Sequence, residues 1–173
     1  MELKKLLEAD YGRYKGKMDP YVKKYLFLLR KTQCSRKKLT YSFWHFCLKK
    51  HRLKRGIELD AAVDVGPGLF IAHPFNITVN DNAKIGANCN IHKGVLIGQE
   101  NRGSRKGTPI IGNSVWLGIN SAVVGSVSVG DDVLIAPNSF VNCDIPSHSI
   151  AIGNPCRIIH KDNATESYIN HTY

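Results

Sequence analysis

A single histidine, His73, lies in the stretch "GLFIAHPFNITVN", residues 68–80, among apolar and amide side chains. The stretch is too short and too broken for a helix. An imidazole titrates near neutral pH, so a histidine can take a proton from a reacting hydroxyl when a carboxylate orients its ring. Whether His73 does this depends on which residues the fold places beside it.

Apolar residues downstream of residue 56 recur with a spacing of six. The unbroken run is Ile111, Leu117, Val123, Val129, Ile135 and Val141, and the same spacing upstream gives Leu59, Val65 and Ile71, then Val79, Ile85, Ile91 and Ile97. No helix or ordinary strand has this period. The pattern predicts a mainly β protein, a parallel β-helix in which three hexapeptides make one triangular coil and the apolar residues stack inside it.

The repeat is interrupted twice. The first interruption is an eight-residue step from Ile71 to Val79, which contains His73. The second is a fourteen-residue step, "IGQENRGSRKGTPI", which predicts a polar, basic loop between Ile97 and Ile111. Insertions in a solenoid become surface excursions, and long excursions are usually functional.

The coil count places an acidic residue near the first excursion. With every third hexapeptide on one face, Leu59 stacks beneath Val79, and Glu58 is expected at the corner that the excursion occupies one coil later. One strand spacing of ~4.8 Å would separate Glu58 from His73. We therefore predict a carboxylate–imidazole pair with His73 as general base.

Four segments resemble the serine acetyltransferase group of the left-handed β-helix hexapeptide acyltransferases: "GPGLFIAHPFNITVN", "NIHKGVLIG", "TPIIGNSVWLG" and "IPSHSIAIGNPCRII". The resemblance covers residues 57–159. It implies a left-handed prism, a homotrimer, acetyl-CoA bound between neighbouring prisms, and direct acetyl transfer to a hydroxyl. His73 matches the family's catalytic histidine, and Glu58 stands where its acidic partner, usually Asp, belongs.

The resemblance also implies binding residues. Backbone contacts to CoA map to two successive turns, Gly118 with Ile119 and Ala136 with Pro137, while Arg157 and Lys106 would meet phosphate unless they are simply solvated charges. The acceptor side is predicted to include Asn76, His92 and Trp116, although packing or exposure explains the last two equally well. No metal is expected, because a metal-dependent hexapeptide enzyme needs a third histidine beyond His73 and His92.

Two positions depart from the family's pattern. Serine acetyltransferases place an Asp before the catalytic histidine to hold the substrate ammonium group, and this chain has Ala72; a substrate-holding histidine on their loop corresponds to Thr108. A neutral pocket suits a neutral sugar, so we expect O-acetylation of a sugar or glycan acceptor in surface polysaccharide biosynthesis, as in shorter capsule and exopolysaccharide relatives. The alternatives are serine O-acetylation in cysteine biosynthesis and a non-catalytic hexapeptide scaffold.

The charge is concentrated near the start of the chain. Residues 1–56 hold 17 of the 24 Lys and Arg but only 4 of the 14 Asp and Glu. This part contains two amphipathic segments, "DPYVKKYLFLLRK", which begins with Asp19 as a cap and Pro20 in the first turn, and "TYSFWHFCLKKHRLKR". We expect basic helices that cap the first coil, with peripheral contact to an anionic membrane as a second role. No motif supports nucleic-acid binding.

The predicted organisation is therefore a basic α-helical region at 1–56, the β-helix at 57–159 and a tail at 160–173. Five widely spaced cysteines without a C-x-x-C pair favour reduced thiols. The chain shows neither a signal sequence nor an apolar run of about 18 residues. We expect a cytoplasmic protein that can lie at the inner face of the membrane.

Overall fold

Three helices precede the strands. A computed structural model describes residues 2–173, and its helices are α1 (Leu3–Gly12), α2 (Pro20–Gln33) and α3 (Lys38–Arg52), followed by a 3₁₀ turn at Leu53–Arg55. The predicted start of α2 is confirmed: the Asp19 carboxylate accepts a hydrogen bond of 2.7 Å from the backbone N–H of Tyr21, and Pro20 is the first helical residue.

The strands form three sheets that wind into a solenoid of about five turns. The first face contains β1 (Ile57–Glu58), β4 (Ile77–Val79), β7 (Leu96–Gly98), β10 (Ala122–Val124) and β13 (Phe140–Val141). The second face contains β2 (Asp64–Val65), β5 (Lys84–Ile85), β8 (Ile110–Ile111) and β11 (Ser128–Val129). The third face contains β3 (Phe70–Ala72), β6 (Asn90–His92), β9 (Trp116–Leu117), β12 (Val133–Ile135), β14 (Ser149–Ile152) and β15 (Arg157–His160). Neighbouring strands are parallel except for β14 and β15.

The hexapeptide prediction is confirmed by the register of the sheets. Each predicted apolar position pairs with the one three hexapeptides later, which produces one buried ladder per face. The three ladders are Val79–Ile97–Val123–Val141, Val65–Ile85–Ile111–Val129 and Ile71–Ile91–Leu117–Ile135–Ala151. The interior of the solenoid is thus a stack of aliphatic side chains that excludes water.

The corners of the coils require small residues because successive backbones approach closely. A Cβ on Gly66 would lie 2.6 Å from the backbone N of Ala87 in the next coil. That separation is well inside van der Waals contact, and the obstacle is backbone, which cannot rotate away. The same close approach to backbone holds for Gly86, Gly112 and Gly130, so the glycine after each ladder residue of the second face is a steric requirement of coil stacking.

The helices cap the open end of the first coil through a buried ion pair. Arg30 and Asp10 are almost fully buried, with Arg30 Nε 2.8 Å from Asp10 Oδ2. Arg30 also donates to the carbonyl oxygens of Val65 and Gly66, and the Asp10 carboxylate accepts from the backbone N–H of Gly68. Both charges thereby satisfy backbone groups that no preceding coil can pair. The expectation that the helices cap the first coil is confirmed.

Residues 163–173 run back along the third face. The Asp132 carboxylate accepts hydrogen bonds from the backbone N–H groups of Ala164 and Thr165. Further along, Asn90 donates to the carbonyl oxygen of Tyr168, and the backbone N–H of Tyr173 donates to the side chain of Asn88. The tail is therefore packed against the solenoid.

Cys89 packs in the interior of the solenoid. Its side chain is fully buried, and burial raises the pKa of the thiol to about 12. A protonated, enclosed thiol is a poor nucleophile, so Cys89 is a core residue and not a reactive one. Within residues 2–173, no helix is long and apolar enough to cross a bilayer.

We expect Arg30→Met to lower the free energy of unfolding by about 3 to 5 kcal/mol, because it leaves the Asp10 carboxylate buried without its partner. Denaturant unfolding of the full chain measures the change. The matched control is Lys24→Met, an exposed position on the same helix, which should stay within about 0.5 kcal/mol of the wild type. Equal stabilities of the two variants would contradict the role of the ion pair.

Candidate active site

His73 lies at the corner between the third and first faces, directly after β3. Its backbone has a φ of +52°, an uncommon conformation for a residue with a side chain, and its carbonyl oxygen accepts a hydrogen bond of 2.8 Å from Phe75 N–H. The side chain is exposed. The eight-residue step thus forms a tight turn that presents the imidazole to solvent.

The imidazole borders a cavity of about 390 Å³ between this corner and the helices. The helical region contributes Lys17, Asp19 and Arg55 to the lining, and the corner contributes Phe75. Arg55 Nη1 lies 2.7 Å from Asp19 Oδ2, and this hydrogen bond holds the pKa of the Asp19 carboxyl below its usual value. The cavity beside His73 therefore carries fixed charges of both signs.

Aromatic rings hold Arg55 in place. Its guanidinium carbon lies 4.2 Å from the centroid of the Tyr21 ring and 4.9 Å from that of Phe75. Such contacts combine cation–π attraction with stacking of the planar group. The guanidinium is thus held in one position at the edge of the cavity.

Glu58 is not in contact with His73. Its strand pairs with β4 so that Glu58 lies opposite Thr78, whose hydroxyl donates to the Glu58 carboxylate at 3.4 Å. Among residues 2–173, no hydrogen bond or ion pair joins Glu58 to His73, and Glu58 borders a different groove, with Arg52 and Leu96. The coil count correctly predicted that β1 pairs with β4. It placed His73 wrongly, because His73 lies near the start of the excursion, whereas Thr78, the strand partner of Glu58, lies at its end. The expected pairing is therefore wrong in a single chain.

His92 and Trp116 lie on the third face beside His73. The ring centroids of His73 and His92 are 6.3 Å apart, and those of His92 and Trp116 are 4.6 Å apart. The Nε2 atom of His92 is buried, and no described residue forms a hydrogen bond with it. Burial and the nearby charge of His73 lower the pKa of His92 to about 4, so its ring is neutral at physiological pH.

The predicted CoA-binding turns stack at the same edge of the solenoid as His73. Gly118 follows β9 and donates its N–H to Ile135 O at 2.9 Å, while Ala136 follows β12 one coil later and donates to Ala151 O. A Cβ on Gly118 would lie 2.7 Å from Ile135 O, so only glycine fits there. Ile119 and Pro137 continue the two turns, and Asn76 lies at the His73 corner with its backbone N–H bonded to Arg55 O.

The other predicted cofactor residues lie elsewhere on the chain. Lys106 is exposed on the loop between β7 and β8, where the first face meets the second, and Thr108 closes that loop with a hydrogen bond to Asn82 O. Arg157 is exposed at the start of β15. Within one chain, the loop and the His73 edge are separate. Among the described residues, no group of three or more His, Cys, Asp or Glu side chains is arranged to hold a metal ion.

Sequence reasoning missed the charged residues of the cavity. Asp19 was recognised only as a helix cap, and Lys17 and Arg55 only as part of the basic region. Their positions relative to His73 depend on how the helices dock on the first coil, for which the hexapeptide period contains no signal. The expectation of a neutral pocket, drawn from Ala72 and Thr108, is wrong.

Comparisons with known proteins point to one group. Residues 108–143 match the family described as "Bacterial transferase hexapeptide (six repeats)". The serine acetyltransferase of Helicobacter pylori strain 26695 is 36% identical over 64% of this chain and 65% of its own length. That of Synechococcus elongatus is 31% identical over 70% of this chain and 50% of its own length. The chain therefore aligns with half to just under two thirds of these curated relatives.

Solved structures share the fold. Soybean serine acetyltransferase apoenzyme has a TM-score of 0.76 at 21% identity, covering 91% of this chain and 69% of that one. The Neisseria gonorrhoeae serine acetyltransferase in complex with serine has a TM-score of 0.68 at 24% identity, covering 91% and 69%. These relatives are named for serine acetylation, which contradicts the expected resemblance to capsule enzymes and the expected sugar acceptor in polysaccharide biosynthesis.

The low pKa of His92 predicts a specific loss of stability in acid. The unfolded chain takes this proton near pH 6.5, whereas the folded chain resists it until about pH 4. The unfolded state thus binds the proton first. The contribution of neutral His92 to the free energy of unfolding is fully present above pH 6.5 and is lost as the pH falls toward 4. His92→Phe should flatten the decline in thermal midpoint between these pH values. His160→Phe, a change on the exposed strand β15, should leave this decline unaltered. Equal slopes of the thermal midpoint against pH in the wild type and both variants would contradict the assignment.

Proposed function

We propose that this protein is an acetyl-CoA-dependent O-acetyltransferase that acetylates the hydroxyl of serine. The observation that carries the proposal is the cavity in which His73 lies beside Asp19 and Arg55. The names of the relatives support the same acceptor. Acetylation of serine is the reaction of cysteine biosynthesis, which the sequence offered as an alternative to sugar acetylation.

The cavity matches the charges of an α-amino acid. The Asp19 carboxylate receives the substrate ammonium group, and Arg55 receives the substrate carboxylate, with Lys17 as a second positive charge in the lining of the cavity. Charge-assisted hydrogen bonds of this kind are roughly twice as strong as neutral ones. A zwitterion held in this way places its side-chain hydroxyl toward His73, whereas a neutral sugar offers no charged group to either member of the Asp19–Arg55 pair.

His73 serves as the general base. Its ring nitrogen takes the hydroxyl proton while the serine oxygen attacks the thioester carbonyl of acetyl-CoA, and a tetrahedral intermediate forms. Backbone N–H groups along the groove stabilise the oxyanion. The intermediate collapses by breaking the C–S bond, and the departing CoA sulfur takes the proton from His73, so that O-acetylserine and free CoA leave. Glu58 has no part in orienting His73 within one chain, because the two do not touch.

The donor is assigned to the edge that carries Gly118 and Ala136, together with the adjacent Ile119 and Pro137. CoA lies along these stacked turns, and Arg157 meets its phosphates. Lys106 belongs to a different edge of the solenoid and reaches the same groove only from a neighbouring copy. We therefore propose a homotrimer with three shared grooves. Sedimentation tests it, since a stable species of 19.3 kDa would be a monomer with incomplete sites.

His73→Ala should lower the turnover of serine by about 10² to 10⁴, because the hydroxyl loses its proton acceptor. The release of free thiol from acetyl-CoA measures the rate, and calorimetric binding of CoA should be nearly unchanged. His160→Ala, an exposed histidine on β15, serves as the control and should retain activity. Near-normal turnover by His73→Ala would reduce His73 to a structural residue.

Asp19→Asn should raise the KM for serine by roughly ten- to a hundred-fold, because the ammonium group loses a charge-assisted contact worth about 1.5 to 3 kcal/mol. Asparagine caps a helix as well as aspartate does, so α2 should remain folded. Steady-state kinetics with serine and with acetyl-CoA separates the two substrates. An unchanged KM for serine, or a KM that rises only for acetyl-CoA, would place the amino acid elsewhere.

A further inference from the structure

Helix α3 exposes a line of large apolar side chains, the α3 stripe, which consists of Leu39, Phe43, Phe46 and Leu53. Leu39 is 86% exposed, and Phe43 and Phe46 are 59% and 56% exposed. Their spacing of three and four residues places them on one side of the helix, and Leu53 continues the line into the 3₁₀ turn. Aromatic and aliphatic side chains in such a line are costly to leave in water.

The stripe cannot turn inward, because the opposite side of α3 is already packed. Leu48 is fully buried, and the ring of Trp44 meets that of Phe27 on α2 edge to face, with centroids 5.9 Å apart. The helix is therefore fixed with the α3 stripe facing outward.

Positive charge surrounds the stripe. Lys38, Lys49, Lys50 and Lys54 are all exposed, and Lys50 Nζ lies 4.6 Å from the centroid of the Phe46 ring. Between Pro20 and Ile57 the sequence contains 12 Lys and Arg and not one Asp or Glu. The surface thus combines apolar contact area with a strong attraction for anions.

Of a second copy, a nucleic acid and a lipid surface, the lipid surface satisfies both properties. A second copy of the same face would bring two uncompensated positive surfaces together. A nucleic acid would neutralise the lysines but would offer little to Leu39 or Leu53. A bilayer with anionic headgroups offers negative charge at its surface and an apolar layer just beneath it.

We propose that the α3 stripe docks this protein onto anionic lipid membranes. The helix lies in the plane of the interface, with Phe43 and Phe46 below the headgroups and the lysines among them. This docking surface is separate from the cavity at His73, and its function does not depend on the proposed acetylation of serine.

Cosedimentation of the full chain with vesicles tests the proposal. Binding is expected to vesicles of phosphatidylcholine mixed with phosphatidylglycerol, to be much weaker to phosphatidylcholine alone, and to fall as salt is added. Lys49→Glu combined with Lys50→Glu should lower partitioning by at least about 25-fold, at roughly 1 kcal/mol for each lysine removed. Phe43→Ser combined with Phe46→Ser should lower it by about tenfold or more.

Two controls distinguish the outcomes. Ile159→Ser changes an exposed apolar residue on β15 and should leave binding intact, and solution activity should be the same in all variants. The proposal fails if anionic vesicles are not bound, or if the phenylalanine pair does not affect binding. It also fails if those variants alter the sedimentation coefficient without changing vesicle binding, which would make the stripe an interface between copies. Binding of an oligonucleotide in preference to the anionic vesicles would overturn the lipid assignment.

Discussion

The buried ion pair between Asp10 and Arg30 determines where the helices lie relative to the solenoid. The first coil of a parallel β-helix has no predecessor, so its backbone groups would face either water or an unpaired interior. The two charged side chains satisfy several of these groups at once, and their hydrogen bonds offset the cost of removing both charges from water. A purely apolar cap would bury area equally well, but it would not specify one docking position.

That docking position creates the cavity beside His73. The segment between α1 and α2 carries Lys17 and Asp19, and it is held against the third face because the Tyr14 hydroxyl accepts a hydrogen bond of 2.7 Å from Ile71 N–H. The α2 residue Tyr25 donates to Leu59 O at 2.6 Å on the other side of the coil. In the proposed function, residues that belong to the cap take part in the chemistry, so that one structural device serves both stability and substrate recognition.

The sequence predicted the solenoid well because its signal is periodic and local. Each ladder position depends only on the hexapeptides directly above and below it, so counting from Ile111 recovered the strands and their partners. The cavity was not predictable in this way, since Asp19 and Arg55 reach His73 through the packing of helices whose pattern shows only an amphipathic face. The error with Glu58 has a related cause: the repeat gives the strand register correctly, but it does not describe the path of the turn that interrupts it.

The tail on the third face limits the number of coils that the solenoid can have between the two points where the tail is attached. It is fastened at Asp132 near one end and at Asn88 near the other, and these two corners are joined through the intervening corner at residues 113–114. Adding or removing a complete coil between residues 88 and 132 would keep every aliphatic ladder in register but would change the distance between the fastenings by ~4.8 Å. The length of the tail therefore fixes how many coils can lie between its two attachment points, a constraint that the hexapeptide repeat alone does not impose.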